Sequence, residues 1–335
     1  MEYRTLGKTG LRVSEIGFGC GNVGGLMVRG TEQEQLEAVE LALQLGINYF
    51  DTAPAYGNGQ SEINLGKVLK QIKEDVFVAT KIGIGIEDSK DIKSCVRKSL
   101  ETSLNRLGRD YVDVFQLHTP ISAEAGSSGQ NWRLSLEQVL GTNGVAEAFE
   151  SVRSEGLVRF PGFTGLGDTD ALHEVIKSGC FDLVQSYFNL LNPSAGIAVP
   201  PGFAGQDFRQ LINVAEDNNM GVVIIRVMAG GALGGSAART GYAAPSIGGG
   251  LTPGSEYKDD EARAGKLEFL LGGDLNSMPQ AAVRFALDNP NLSTVLVGYS
   301  NNTQITEAAA CSGMEPIPES MLERLTRLWD ADFGI

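Results

Sequence analysis

The chain has 335 residues, and its composition of 42% hydrophobic and 20% charged residues is typical of a soluble globular protein with a large core. A formal net charge of −14, from Asp and Glu scattered along the sequence, argues against binding of nucleic acid or of a membrane surface. Four cysteines lie far apart without metal-ligand or disulfide spacing, and no segment reaches the ~18 apolar residues of a membrane span. We therefore expect one cytoplasmic domain over residues 1–335, without a metal site.

In chain order, the sequence predicts a short hairpin within the first dozen residues and then alternating strands and helices. Each strand is a nearly continuous apolar run, which is typical of parallel strands buried on both faces. The predicted strands cover residues 14–20, 47–50, 76–80, 111–117, 157–163, 181–187, 221–227 and 292–297. The predicted helices cover residues 31–46, 63–72, 92–107, 145–154, a stretch from 168, a stretch before 221, and 278–287.

Eight such units predict the α/β class, and in a chain of this length they fit a closed (β/α)8 TIM barrel better than an open doubly wound sheet. We expect the N-terminal hairpin to plug the bottom of the barrel. Two long loops interrupt the alternation of strands and helices, 121–135 after the fourth strand and 229–276 after the seventh. Because they follow strands at the face where barrel enzymes build their active sites, we expect lids or substrate walls. Trp132 either lines the pocket or anchors its loop.

Polar side chains that can titrate or pair charge follow three neighbouring predicted strands. Asp51, Lys81 and His118 stand at the ends of the second, third and fourth strands. Adjacent strands lie roughly 5 Å apart, so these side chains are expected on one rim of the barrel. A buried ion pair and a core histidine are the ordinary alternatives for each residue alone. Their joint position at the presumed active-site face favours chemistry.

Tyr56 follows Asp51 in a turn bounded by Gly and Pro. A free tyrosine titrates near ~10, too high for efficient proton donation at neutral pH unless a nearby cation stabilises the phenolate. Lys81 is placed to supply that cation, and Asp51 is placed to keep the buried lysine charged. His118 can donate a hydrogen bond to a substrate carbonyl oxygen. A tyrosine in such a loop is more often a packing residue, and only its predicted neighbours favour catalysis.

The likeness to the aldo-keto reductases extends from Leu6–Gly10 to the last strand. Five segments around these residues resemble that family. They are Phe50–Gly57, Ser61-Glu62, Leu65-Gly66, Ala79–Lys81 and Leu117-His118. The resemblance implies a (β/α)8 barrel that binds an extended nicotinamide dinucleotide. It also implies that Tyr56 is the general acid, that Lys81 and Asp51 tune it, and that His118 orients the carbonyl group during hydride transfer.

The same resemblance implies a set of cofactor-binding positions. They are Gly21, Asn22, Asp51, Thr164, Gly165, Gln185, Arg226, Met228, Gly230, Gly298, Ser300, Asn301, Gln304 and Glu307. Thr164-Gly165 stands where the family commonly has Ser-Asn against the nicotinamide carboxamide, and Gln185 matches the usual second contact. Ile225 and Arg226 stand where the family often has a stacking aromatic residue and a serine, so the resemblance implies no aromatic stacking here. Arg226 is a candidate ion-pair partner for the pyrophosphate.

The segment 298–304 and Glu307 resemble the loop that holds the adenosine end of the cofactor. Many NADPH-preferring members have Arg or Lys in this loop, and this chain has neither. Ser300, Asn301 and Gln304 can still hydrogen-bond a 2′-phosphate. On this basis the sequence favours NADP(H), with NAD(H) as the alternative.

The leading function implied is reduction of an aldehyde or ketone to an alcohol. The main alternative is an NAD-dependent aldose 1-dehydrogenase, because Phe163–Gly167 resembles the corresponding turn of the galactose-dehydrogenase branch. A cofactor-binding regulatory subunit is less favoured, since all four catalytic positions are filled, and a lyase or metal-dependent hydrolase is not indicated. The expected partner is a small-molecule carbonyl compound or sugar. The sequence carries no signal of oligomeric state.

Overall fold

The computed structural model describes residues 1–126, 132–235, 239, 241–244, 250–252 and 254–334. Strands are numbered here along the chain. They are β1 (Tyr3–Thr5), β2 (Arg12–Ser14), β3 (Ile16–Gly19), β4 (Tyr49–Asp51), β5 (Phe77–Ile82), β6 (Val112–Leu117), β7 (Ile121–Ser122), β8 (Leu134–Ser135), β9 (Val158–Thr164), β10 (Leu183–Tyr187), β11 (Gly221–Ile225) and β12 (Thr294–Gly298).

Eight of these strands close into a parallel barrel in sequential order, from β3 to β6 and from β9 to β12, with β12 paired to β3. The (β/α)8 prediction is therefore confirmed. The helices that follow and cover the strands are α1 (Leu26–Arg29), α2 (Glu32–Gln44), α3 (Gln60–Leu69), α4 (Ile92–Leu107), α5 (Leu136–Leu140), α6 (Val145–Ser154), α7 (Thr169–Lys177), α8 (Leu211–Asp217), α9 (Tyr257–Ala264), α10 (Met278–Leu287), α11 (Asn302–Ala309) and α12 (Glu319–Asp330).

Local sequence accounts for several helix boundaries. Thr31 and Glu34 form a reciprocal capping box at the start of α2, and Asp91 caps α4 by accepting a hydrogen bond from the Ser94 N–H. Gly108 ends α4 in the left-handed region at φ 63°, a conformation that glycine adopts without steric cost. No helix in the described ranges is long and apolar enough to cross a membrane.

The hairpin β1–β2 plugs the bottom of the barrel, as predicted. Its residues Leu6, Leu11 and Val13 are buried in a separate core cluster with Tyr49 and other side chains that point into the barrel. A larger core lies between the strands and the surrounding helices. Apolar side chains fill the lower half of the barrel, and the polar side chains of the site lie at the upper, C-terminal ends of the strands.

Both predicted long loops lie at the C-terminal face. In the first, β7 pairs with β8, and the Trp132 indole N–H donates to Ile84 O at 2.8 Å, so Trp132 anchors the loop. Its residues 127–131 lie outside the described ranges. In the second loop, the described part includes α9 and a 3-10 turn over Gly265–Leu270.

A third long connection, residues 188–210 after β10, was not predicted. The Asn189 carboxamide oxygen accepts hydrogen bonds from the N–H groups of Leu191 and Asn192, both at 2.9 Å. Trp329 of α12 donates its indole N–H to Leu190 O at 2.9 Å. Hydrogen bonds from side chains to the backbone therefore order this segment. Such bonds leave no periodic pattern of apolar residues from which the segment could be predicted.

We predict that Gly66→Ala destabilises the protein although alanine favours helices. An added methyl group in α3 would lie 2.6 Å from Leu107 O and 2.7 Å from Arg106 O at the end of α4, so the helices must separate. We expect a loss of about 1–3 kcal/mol. The matched control is Gly265→Ala, at φ −60° with no atom within 4 Å, which should leave stability equal or slightly higher. Thermal unfolding midpoints measure both, and a Gly66→Ala variant as stable as the parent would contradict the prediction.

Candidate active site

A buried ion pair lies at the upper end of the barrel. Asp51 is the last residue of β4, and Lys81 lies in the neighbouring strand β5, where its ammonium donates to Asp51 Oδ1. Both side chains are almost fully buried. Lys81 Nζ also donates to Thr52 O at 2.9 Å and to the Tyr56 hydroxyl at 3.2 Å. Three acceptors therefore surround one ammonium group.

Charge on Lys81 is maintained by its neighbours. Burial disfavours the ammonium, but the Asp51 carboxylate and the Tyr56 oxygen outweigh burial and raise the pKa of Lys81. The lysine is therefore charged at neutral pH. This agrees with the interpretation that Asp51 holds the buried lysine in its ionised form.

The second oxygen of Asp51 is held by two amides. Gln185 Nε2 in β10 donates to Asp51 Oδ2 at 2.6 Å, and Gln116 Nε2 in β6 donates to the same oxygen at 3.2 Å. The sequence assigned Gln185 to the cofactor and did not identify Gln116. The sequence does contain a signal for Gln116, which is a polar residue in a mostly apolar strand. It lies two residues after Val114, so its side chain points to the same face, into the barrel.

Tyr56 and His118 complete the group of four predicted residues. Their rings meet edge to face with centroids 6.2 Å apart, and Lys81 Nζ lies 4.8 Å from the centroid of the Tyr56 ring. All four residues therefore meet at one place, as predicted from three strand ends and from the turn that carries Tyr56.

The expected lowering of the Tyr56 pKa is absent from this structure. Burial raises the pKa of Tyr56, Lys81 opposes that effect, and the Asp51 charge partly cancels the lysine. Tyr56 is therefore a protonated phenol at neutral pH, which is the form that can donate a proton. The contribution of Lys81 is to limit how far burial raises the pKa.

His118 follows β6 and is neutral. Burial, together with the nearby Lys81 ammonium, lowers the pKa of His118 to about 3. A neutral imidazole carries one N–H donor. Beside the Tyr56 ring, that N–H can hydrogen-bond a carbonyl oxygen without competing for the phenol proton.

A cavity of about 640 Å³ opens above these residues, within the range of small-molecule and cofactor sites. Most of the predicted residues line it. They are Gly21, Asn22, Asp51, Tyr56, His118, Thr164, Gln185, Arg226, Met228, Gly230, Gly298, Ser300, Gln304 and Glu307. The sequence missed other lining residues, among them Tyr187 and Arg239, because they belong to a strand end and a loop without a recognised pattern.

Three predicted residues do not line the cavity. Lys81 lies beneath Tyr56, and the Gly165 N–H donates to Gln185 O at 2.7 Å. Asn301 caps α11 by accepting from the Gln304 N–H at 3.1 Å. Their buried or capping positions explain why they contact the cavity only through neighbours.

The residues present fit a nicotinamide dinucleotide. Thr164 Oγ1 is buried, borders the cavity and has no hydrogen-bond partner in the described part of the chain. A buried hydroxyl without a partner is costly, and a carboxamide group would satisfy it. A glycine-lined wall at Gly21, Gly230 and Gly298 leaves room for a ligand backbone.

At the end of the cavity formed by residues after β12, the polar groups bind one another. Gln304 Oε1 accepts from the Ser300 N–H at 2.8 Å and from the Ser300 hydroxyl at 3.1 Å. Glu307 accepts a hydrogen bond from the Ser277 hydroxyl. This end therefore presents a carboxylate, and α11 has no basic residue in its last turn.

Arg226 follows β11 in a left-handed conformation at φ 58°, which is uncommon for a residue with a side chain. Asn189 Nδ2 donates to Arg226 O at 3.0 Å, and the guanidinium lies 5.9 Å from the centroid of the Tyr187 ring. The arginine borders the cavity, and its ion pair with a pyrophosphate stays a prediction.

A (β/α)8 barrel with titratable side chains gathered at the C-terminal strand ends, around a cavity, has the architecture of an enzyme. The chain belongs to the aldo/keto reductase family, whose model matches residues 15–330. The resemblance found in the sequence is thereby confirmed. Members of this family are oxidoreductases that use nicotinamide cofactors and act on small-molecule carbonyl substrates.

Similar proteins span nearly the whole chain. L-galactose dehydrogenase from Arabidopsis thaliana is 31% identical over 316 residues, 92% of this chain and 88% of that protein. D-threo-aldose 1-dehydrogenase from Pseudomonas sp is 28% identical over 343 residues, 94% of each. The structure of glycerol dehydrogenase from Gluconobacter oxydans matches with a TM-score of 0.74 at 20% identity, over 99% of this chain and 95% of that one. This last likeness shows the shared fold.

We predict that the His118 ring does not titrate between about pH 5 and pH 8. Its pKa of about 3 in the fold lies below the ~6.5 of an unfolded chain. Neutral His118 therefore contributes stability above about pH 6.5 that is lost as the pH falls toward 3. NMR shifts of the ring protons against pH test this, with His118→Gln used to assign the signal, since His173 is the other histidine. A midpoint near ~6.5 would contradict the prediction.

Proposed function

We propose that this chain is an NAD(P)(H)-dependent oxidoreductase that reduces an aldehyde or ketone to an alcohol, with Tyr56 as the general acid. The single observation that carries the proposal is the Tyr56 hydroxyl at the cavity wall, 3.2 Å from the Lys81 ammonium. A phenol that borders a cavity and touches a buried cation can lose its proton to a substrate more easily than an equally buried phenol without that cation.

Each residue then has one task. Tyr56 gives its proton to the carbonyl oxygen, and Lys81 stabilises the phenolate that remains. Asp51 keeps Lys81 charged. The neutral imidazole of His118 donates a hydrogen bond to the same carbonyl oxygen and orients it. In the direction of alcohol oxidation, the Tyr56 phenolate takes the hydroxyl proton back.

The cofactor completes the redox balance. Bound nicotinamide supplies a hydride to the carbonyl carbon in reduction and accepts it in oxidation. The Thr164 hydroxyl and the Gln185 carboxamide would hold the nicotinamide carboxamide. Residues of the 298–307 segment would hold the adenosine end, and Arg226 would face the pyrophosphate.

For the cofactor we favour NAD(H), the second of the two cofactors that the sequence allows. A 2′-phosphate needs cations or free donors. The 298–304 segment has no Arg or Lys, and its Ser300 hydroxyl already donates to Gln304 Oε1 at 3.1 Å. Glu307 also places a carboxylate on the cavity wall, which would repel a phosphate. NADP(H) is the other outcome of the test below.

The second candidate is an NAD-dependent aldose 1-dehydrogenase, which uses the same residues in the oxidative direction. Two relatives across most of the chain carry the names L-galactose dehydrogenase and D-threo-aldose 1-dehydrogenase, and the carboxylate at the adenosine end fits NAD. Initial rates of aldose oxidation with NAD, compared with aldehyde reduction with NADH and NADPH, distinguish the candidates. A regulatory subunit would instead hold its cofactor without turnover in either assay.

We predict that Tyr56→Phe lowers turnover by at least about 10²-fold and leaves cofactor affinity nearly unchanged, because the substitution removes only the proton donor. Tyr111→Phe makes the same chemical change at an exposed tyrosine and should leave both quantities unchanged. Steady-state kinetics and calorimetric cofactor titration supply the measurements. Near-normal turnover of Tyr56→Phe would eliminate its role as general acid.

We predict that the enzyme binds NAD more tightly than NADP, and that Glu307→Gln improves NADP affinity by about fivefold with little change for NAD. Removing the carboxylate removes its repulsion of the 2′-phosphate. Glu315→Gln, at an exposed position, is the control for loss of one negative charge. Equilibrium dialysis with each cofactor decides, and a parent protein that prefers NADP would overturn the NAD(H) proposal.

A further inference from the structure

A buried glutamine that does not line the cavity contacts the group of titratable residues. Gln116 is fully buried in β6 and donates its amide N–H to Asp51 Oδ2 at 3.2 Å. It is not part of the cavity wall, unlike Gln185, which donates to the same oxygen and also borders the cavity. Gln116 can therefore influence the site only through Asp51.

The barrel register makes room for this side chain. Gln116 is paired with Lys81 of β5 on one side and with Gly162 of β9 on the other. A methyl group on Gly162 would lie 3.1 Å from Gln116 Cγ and 2.8 Å from Leu183 Cγ. With no side chain at position 162, Gln116 can extend across the barrel to the carboxylate.

This arrangement carries an energetic cost. Gln116 Oε1 is buried and has no hydrogen-bond partner in the described ranges. The orientation of the amide follows from charge, because reversing it would place the amide oxygen against the Asp51 carboxylate. A polar side chain with one unsatisfied atom in a barrel core is poorly explained by stability alone.

We propose that Gln116 is a positioning residue that acts on Tyr56 through Asp51 and Lys81. Its amide holds Asp51 Oδ2, so that Oδ1 faces Lys81 and the ammonium stays within reach of the Tyr56 hydroxyl. The inference rests on the proposed function, in which Tyr56 is the proton donor.

Gln116 would affect the acidity of Tyr56 because Asp51 and Tyr56 compete for the same Lys81 ammonium group. The titratable and charged groups that face Tyr56 are Lys81, Asp51, Cys20 and His118. With one donor fewer, the Asp51 carboxylate draws more strongly on Lys81, which then supports the Tyr56 phenolate less. Loss of Gln116 should therefore make Tyr56 a weaker acid without changing what the cavity offers to ligands.

The test compares Gln116→Met, which keeps the length of the side chain and removes the amide, with Gln71→Met at an exposed position. The first readout is the ultraviolet titration of the Tyr56 phenol in cofactor-free protein, taken as the difference between each variant and the same variant carrying Tyr56→Phe. We expect Gln116→Met to move the midpoint upward by about half a pH unit or more, and Gln71→Met to leave it unchanged.

The second readout is the separation of turnover from binding. With 4-nitrobenzaldehyde and NADH as probes, we expect kcat of Gln116→Met to fall about tenfold, with KM and the Kd for NADH within about twofold of the parent. An unmoved Tyr56 midpoint, or equal losses in kcat and in cofactor affinity, would overturn the proposal.

Gln116→Glu tests whether a different hydrogen-bond donor can restore the effect of the amide. It also replaces Gln116→Met in the test if that variant does not fold. A protonated carboxyl group can donate to Asp51 as the amide does, whereas an ionised one cannot. We expect this variant to match the parent at low pH and to lose kcat as the pH rises; a pH-independent loss would overturn the proposal. If Tyr56→Phe itself keeps normal turnover, the proposed function fails, whereas an unchanged Tyr56 midpoint alone rejects only the role of Gln116.

Discussion

The site depends on one buried ion pair, Asp51 with Lys81, at the top of two adjacent barrel strands. An ammonium removed from water tends to lose its proton, and a carboxylate tends to gain one. Each therefore needs the other, and each needs further hydrogen bonds to occupy its remaining atoms. Thr52 O and Tyr56 satisfy the lysine, so the hydroxyl at the cavity wall is part of what makes the buried charge tolerable.

The topology of the barrel places these groups at one end of its interior. Parallel strands present their carboxyl ends on the same face, and the hairpin β1–β2 fills the opposite end with apolar side chains. The Asp51–Lys81 ion pair thereby lies at the end of the interior away from the hairpin. The low polarity below and the cavity above make the electrostatic effect of Lys81 on Tyr56 stronger than it would be in water.

Much of this could be predicted because it depends on local sequence or on strand order. The Thr31–Glu34 capping box and Gly108 mark helix ends, and the polar residues after apolar strands mark the rim. The connection over residues 188–210 could not be predicted, because its order comes from side-chain bonds to the backbone. The raised pKa of Tyr56 could not be predicted either, since burial is a property of the whole packing. Gln116 was missed because a single uncharged polar residue within a strand does not indicate, from sequence alone, that it contacts Asp51.

The two tryptophans of the chain have a consequence for observing this protein in solution. Trp132 donates its indole N–H to Ile84 O beyond β5, and Trp329 donates to Leu190 O beyond β10. Each intrinsic fluorophore is thus tied to a backbone carbonyl of a segment at the rim. Because indole emission shifts with the polarity and hydrogen bonding of its surroundings, the native protein carries two optical reporters of movement, after strands that are three positions apart in the barrel.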